Sequence, residues 1–295
     1  MKTKNLLAIA TTLSVLLSSC SRREHNPQLL SPVPVTVHVD GFSVSQSDLP
    51  ATKGFQSAAS YDGINAITLA FYQGSTAVEQ ITQLKNDQTT YTTFGDFSTT
   101  RPLGSYTLVA IAYTAKEEYP FTLTSPTQAE YTGAHAYETF ACCQPLNIAD
   151  ATPFNLEVQL ERINTQLRVV STDGKAANVT NVRMILSAGG RSFSPSTGLA
   201  ISDAGFENTV KSSYSTGAAT TSSTVFFLAT DRQDIDVTIQ TLDADGNTLF
   251  SKTIPNVSFQ RNRLTTIRGN MYSADASGSF QLDTDWITAG QDITF

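Results

Sequence analysis

Val33-Pro34-Val35-Thr36-Val37-His38-Val39-Asp40 alternates apolar and polar residues, with valine at every other position. Successive side chains of an extended chain point to opposite sides, so strict period two predicts a strand with one buried face. Pro34 has no amide to donate and suits the start or the edge of such a strand. The alternation recurs downstream. Ile67, Leu69 and Phe71 repeat it before Gly74, and Phe154, Leu156, Val158 and Leu160 repeat it ahead of Ile163, Leu167, Val169 and Val170. Val182, Met184 and Leu186 form another run. Ile235, Val237 and Ile239 lead toward Asp245-Gly246, with Leu249 to Ile254 beyond. Asp-Gly between alternating segments signals a hairpin, because its tight turn needs residues that tolerate a positive φ.

Tyr106-Thr107-Leu108-Val109-Ala110-Ile111-Ala112-Tyr113 is apolar at nearly every position. That pattern predicts a central strand covered on both faces. Val225 to Leu228 is a shorter run of the same kind. Ala77, Val78, Ile81 and Leu84 have the spacing of a helix face, yet the stretch is short and lies among strand-like segments, so its conformation stays open. Many short strands separated by turn residues predict an all-β fold of sandwiches or barrels. The polar stretch from Asn147 to Pro153 lies near the midpoint of the chain. It divides the body into two expected β-sandwich domains in series, residues 33–152 and 153–295.

The N-terminus reads differently. Lys2 and Lys4 precede an apolar run from Leu6 to Leu17, which ends in Leu17-Ser18-Ser19-Cys20. A basic start, a short apolar core and small residues before a cut form a secretory signal, here residues 1–19. The run is shorter than the roughly 20 apolar residues that span a bilayer. Its last four residues resemble a lipobox, the motif of bacterial lipoproteins. The resemblance implies that Cys20 becomes the mature N-terminus and carries the lipid, with residues 20–32 as a polar tether. Each buried methylene contributes about 0.8 kcal/mol, so several acyl chains anchor stably where one does not.

Composition sets further bounds. Charged residues make up 15% of the chain, against roughly 25% in an average soluble protein. Threonine, serine and β-branched or aromatic residues fill the difference and suit a pleated surface. The formal charge is −7, and removal of the signal takes away two lysines. Such an acidic surface argues against nucleic acid as a partner. Arg261, Arg263 and Arg268 are therefore not read as a basic binding patch; Arg263 and Arg268 are expected to pair with local carboxylates or carbonyls around a bulge, with Asn262 in a turn. Cys142 and Cys143 are adjacent, which disfavours an unstrained disulfide between them. They read as small apolar filling, and the core rather than a covalent staple must hold the fold.

No nucleophile elbow, phosphate-binding glycine loop or His-Glu-x-x-His motif occurs. The histidines His25, His38 and His135 are not grouped for acid–base work. Asp243 to Asn247 faintly echoes a calcium loop but lacks its closing glutamate, and a hairpin turn explains it better. The expectation is a protein without catalytic residues, metal or cofactor.

Three segments carry a family resemblance: Gly104 to Ala112; Leu160-Glu161-Arg162-Ile163 running into Gln166-Leu167-Arg168-Val169; and Ile254-Pro255 with Gln260 to Asn270. Together with the lipobox they resemble the fimbrillin, or type V pilin, family of surface fimbriae, which carries a similar Arg-Asn-x-x-Thr-x-Ile-x-Gly run. The resemblance implies two transthyretin-like β-sandwich domains, export as an outer-membrane lipoprotein, and a role as stalk, tip or anchor subunit. It also implies assembly with other subunits by strand exchange. An arginine-specific protease removes the first strand of polymerising members, and a C-terminal strand of the next subunit fills the groove. Here Val33 to Val44 would be the removable strand and Gly278 to Phe295 the donor. The chain departs from the pattern at the cut, because the loop after the first strand holds Lys53 and no arginine. Arg22 and Arg23 precede that strand and Arg101 lies well past it. Lys53 is thus the candidate processing site, and an uncut, lipid-retaining subunit would suit an anchor. The other reading is a surface lipoprotein that binds glycan. Sugar rings stack on exposed aromatics, and here Trp286 is the only tryptophan while the tyrosines are scattered.

Overall fold

The structure is a computed structural model and describes residues 31–44, 54–87, 89–133 and 135–272. Every named element is a strand. The first ten are β1 (Val33–Val44), β2 (Gly54–Gln56), β3 (Ala66–Gln73), β4 (Thr76–Leu84), β5 (Asp96–Arg101), β6 (Gly104–Tyr113), β7 (Phe121–Ser125), β8 (Gln128–Tyr131), β9 (Thr139–Ile148) and β10 (Phe154–Arg162). They are followed by β11 (Thr165–Ser171), β12 (Asn181–Leu186), β13 (Ser192–Ser194), β14 (Leu199–Ala200), β15 (Phe206–Lys211), β16 (Thr221–Phe226), β17 (Arg232–Leu242), β18 (Thr248–Gln260) and β19 (Leu264–Gly269).

The valine alternation becomes β1, and β1 takes an inner position. β10 runs parallel along one edge, and β5 and then β2 run antiparallel along the other. The sheet continues as β10-β9-β6-β3-β4. β9 and β10 share only the pairs Glu161↔Ala141 and Arg162↔Phe140. The sheet turns a corner there and closes over one core, where the valines of β1 and Val158 and Leu160 of β10 join Ile67, Leu69, Phe71 and Leu108. The second sandwich packs the sheet β16-β11-β19 on the sheet β15-β12-β17-β18. Leu167, Val169 and Ile267 of the first sheet share its core with Met184, Val237, Ile239 and Phe259 of the second.

One topology is used twice. β11 lies parallel to β19 and antiparallel to β16, as β1 lies between β10 and β5. The row β15-β12-β17-β18 repeats β4-β3-β6-β9. These are the two transthyretin-like β-sandwiches in series that the resemblance implies.

The structure adds to the sequence reading at several points. The stretch with helical spacing is β4, a strand paired along its length with β3. β10 belongs to the first sheet, where it pairs with β1 and β9, so the junction expected between residues 152 and 153 falls ahead of a strand of that sheet. The polar stretch before β10 is only a connection, and the parallel ladder to β1 recaptures the chain. A further sheet, β14-β13-β8-β7, draws strands from both halves. It covers the outer faces of β3 and β6, burying Ala70, Tyr72, Val109 and Ile111 beside Tyr131, Phe193 and Phe227. β6 is covered on both faces as expected. So is β3, which is buried from Ala66 to Tyr72 although its sequence suggests one apolar face.

Candidate strand-exchange site

Val33, Val35, Val37 and Val39 are 1%, 0%, 0% and 4% exposed, and all face the first core. Full burial of such a side chain is worth roughly 1.5–3 kcal/mol. On the outer face of β1, His38 Nδ1 lies 2.9 Å from Asp96 Oδ1 of β5. The ladder to β10 runs from Val35↔Phe154 to Ser43↔Glu161, with a bulge between Val39 and Gly41. On the other edge, β5 pairs with residues 33–38 and β2 with residues 42–44. Loss of β1 would therefore leave a groove with an apolar floor and two unpaired strand edges. Such edges are templates for any strand that alternates in the same way.

Of the residues picked from sequence, Cys20, Lys53 and the C-terminal segment from Gly278 to Phe295 lie outside the described residues. Arg101 sits within β5 and is held there. Its Nη2 pairs with Glu79 Oε2 at 2.6 Å, and its guanidinium lies over the Phe71 ring at 5.4 Å. With a side chain 12% exposed, it is poorly presented to a protease. Cys142 and Cys143 are free, and the pleat of β9 sends them to opposite sides. Cys142 packs on the first core and Cys143 on the shared cluster. Burial pushes both thiols above their ordinary pKa.

The Arg-Asn-Arg run forms the turn between β18 and β19, where Asn262 has φ 58°. Arg261 Nε pairs with Asp231 Oδ1 at 3.1 Å, and its Nη1 donates to the Thr197 carbonyl at 3.0 Å. The Arg263 carbonyl accepts the Gln166 amide. Asn262 also receives Arg162, the last residue of β10, on its Oδ1 at 3.3 Å. Arg162 further binds Glu138 and donates to the Tyr61 hydroxyl at 3.1 Å, and that hydroxyl donates to Glu138 at 2.6 Å. Burial first, then the bond to Glu138, raises the Tyr61 pKa to about 12. This knot ties β10 to the second sandwich. Asp243 caps the β17–β18 hairpin by accepting the amides of Asp245 and Asn247, so it acts as a turn residue.

Sequence reading missed β5. Asp96-Phe97-Ser98-Thr99-Thr100-Arg101 has one large apolar residue and too little contrast to register as a strand. Its signal is context alone, a short polar segment with Phe97 at the depth of the core.

The described residues form a double transthyretin-like sandwich in which the first described strand, β1, is an inner one. The sequence matches the model of a family of unknown function, DUF6562, over residues 73–294, and the chain belongs to that family. No curated protein matches it. Three solved structures share the fold at low identity. The fimbrial anchor protein Mfa2 from Porphyromonas gingivalis is 8% identical with a TM-score of 0.52, covering 80% of this chain and 90% of its own. A candidate adhesin from Bacteroides ovatus is 12% identical with a TM-score of 0.51, covering 89% and 96%. A candidate polysaccharide-binding protein from Bacteroides thetaiotaomicron is 10% identical with a TM-score of 0.53, covering 86% and 99%.

Proposed function

We propose that this protein is a structural or adhesive subunit of a bacterial surface fimbrium, exported as a lipoprotein through Cys20 and joined to other subunits by strand addition at the groove of β1. One observation carries the reading. β1 is an inner strand that buries Val33, Val35, Val37 and Val39, yet it is the first strand among the described residues. A single cut between β1 and β2 would free it. Fold sharing with the fimbrial anchor Mfa2 and with a candidate adhesin supports the same reading. The domain division follows the sheets, with the N-terminal sandwich ending at β10. Lys53 lies between β1 and β2 and is the candidate cut. Retention of β1 and of the lipid fits an anchor, and loss of both fits a stalk subunit. The protein performs no catalysis in this reading, and turnover abolished by a single carboxylate substitution would overturn that part.

Mass spectrometry of the protein from membrane and surface fractions tests the proposal. A lipidated Cys20 on an uncut chain means an anchor. A new N-terminus near Gly54 in high-mass assemblies means polymerisation by strand exchange. An unlipidated, uncut and monomeric secreted chain would sink the proposal.

A second reading, glycan binding, has one observation in its favour. Tyr119, His135 and Tyr137 form a half-buried aromatic group, with Tyr119 and His135 edge-to-face at 4.6 Å. Pull-down on insoluble polysaccharides, with Tyr119→Ala as control, separates the two readings.

A further inference from the structure

Among the described residues β5 has one backbone ladder, the one it shares with β1. Its other edge faces β4, where side chains join the two strands. Gln83, 4% exposed, donates from Nε2 to the Asp96 carbonyl at 2.7 Å and accepts the Gly95 amide on Oε1 at 2.8 Å. Its carboxamide thus stands in for the peptide group of a neighbouring strand. Glu79 accepts the Thr99 hydroxyl at 2.7 Å and pairs with Arg101 at 2.6 Å. The Gly95 carbonyl accepts the Val39 amide at 2.9 Å, so Gln83 reaches β1 through one intervening residue. Gly95 has φ +100°, and a Cβ there would come within 3.1 Å of the Val39 carbonyl. Phe97, 2% exposed, draws β5 toward the core but is not directional. The bonds from Glu79 and Gln83 fix where β5 stands along β4.

We propose that Glu79 and Gln83 are positioning residues that keep β5 standing as a wall of the groove after β1 has left, so that an incoming strand meets two ready edges. The inference rests on the strand-exchange reading. Its physical content is preorganisation. When only a fraction of molecules holds the wall in place, apparent affinity for the strand falls by that fraction. While β1 is attached its own ladder holds β5, and the side chains matter less.

The experiment uses the body with a specific protease site inside residues 45–53, cut, with β1 displaced by excess labelled peptide of residues 32–44. Parent, Gln83→Ala and Glu79→Ala are compared both uncut and cut. The uncut variants should melt within a few degrees of the parent. The cut variants should bind the peptide about tenfold more weakly or worse, with association rates that saturate as peptide concentration rises because β5 must order first. Glu79→Gln, which keeps the bond from Thr99, should recover part of the loss and replaces Glu79→Ala should that chain fail to fold. Equal affinity and equal association kinetics across all cut forms would overturn the inference. A cut parent that takes up no peptide would instead overturn the strand-exchange reading beneath it.

Discussion

β1 and β11 occupy the same place in the two sandwiches, but they differ in connectivity and in the chemistry of their ends. Each lies parallel to the last strand of its sandwich, with an antiparallel partner on its other edge. Each alternates inward and outward. The inward side of β1 is valine at residues 33, 35, 37 and 39, whereas β11 ends its inward side in polar residues that are bonded in place. Thr165 donates to the Arg263 carbonyl at 2.8 Å, and the Ser171 hydroxyl accepts the Thr220 amide at 2.7 Å. β11 follows β10 across Ile163 and Asn164 alone, beside the Arg162 knot, and to release it the chain would have to be cut twice. β1 needs one cut. Under the strand-exchange proposal, detachability would come from chain connectivity and the chemistry of the strand ends, since position in the sheet is the same.

The largest expected effect comes from cutting within residues 45–53 and stripping β1. Hydrogen exchange should then lose protection in β10 and β5 while β11, β12 and β17 keep theirs. Uniform loss would mean that the sandwiches unfold as one and that the contrast between them is empty. Next comes Leu167→Ala, at a site 0% exposed in β11, which should cost about 2–5 kcal/mol in urea unfolding. Val37→Ala in β1 removes less volume and should cost about 2 kcal/mol. Carried on the β1 peptide instead, it should weaken binding to the cut body by about tenfold or more. Unchanged peptide affinity would remove the valine face from the argument.

Arg162→Ala probes the tie that keeps β11 in place. It strands Glu138, whose side chain is 25% exposed, and should cost about 2 kcal/mol, below the penalty for a fully buried pair. A neutral result in urea unfolding would mean that the shared sheet alone joins the halves. The smallest effect is alkaline. Burial raises Tyr61 and Tyr72 from 10.0 to about 12. The unfolded chain therefore ionises first, and stability is full below pH 10 and declines from there to about pH 12. Tyr61→Phe and Tyr72→Phe should flatten that decline in thermal melts, and an unchanged slope would assign it to other groups.

Much of both sandwiches is legible in the chain. The valine run gives β1, the apolar run from Tyr106 gives a doubly covered β6, and Asp245-Gly246 gives the β17–β18 hairpin. In each case the pattern is local and strong. β4 misleads because it is largely exposed, so nothing forces its apolar residues onto period two. β5, β7 and β13 are too short or too polar to stand out, and they exist because a neighbouring strand or core calls them in. The candidate site divides the same way. Its valines are visible in sequence, whereas Glu79 and Gln83 become meaningful only once β4 stands beside β5.

The sequence by itself determined an all-β body, the buried face of its first strand and the turn chemistry of its hairpins, because these depend on side-chain periodicity and local backbone limits. Only the tertiary structure decided that β10 returns to the first sheet, that hairpins from both halves share a sheet, and that β1 lies between two edges. Those facts depend on backbone pairing between segments far apart in the chain. Peptide groups are the same in every residue, so their long-range partners leave no mark in the local pattern.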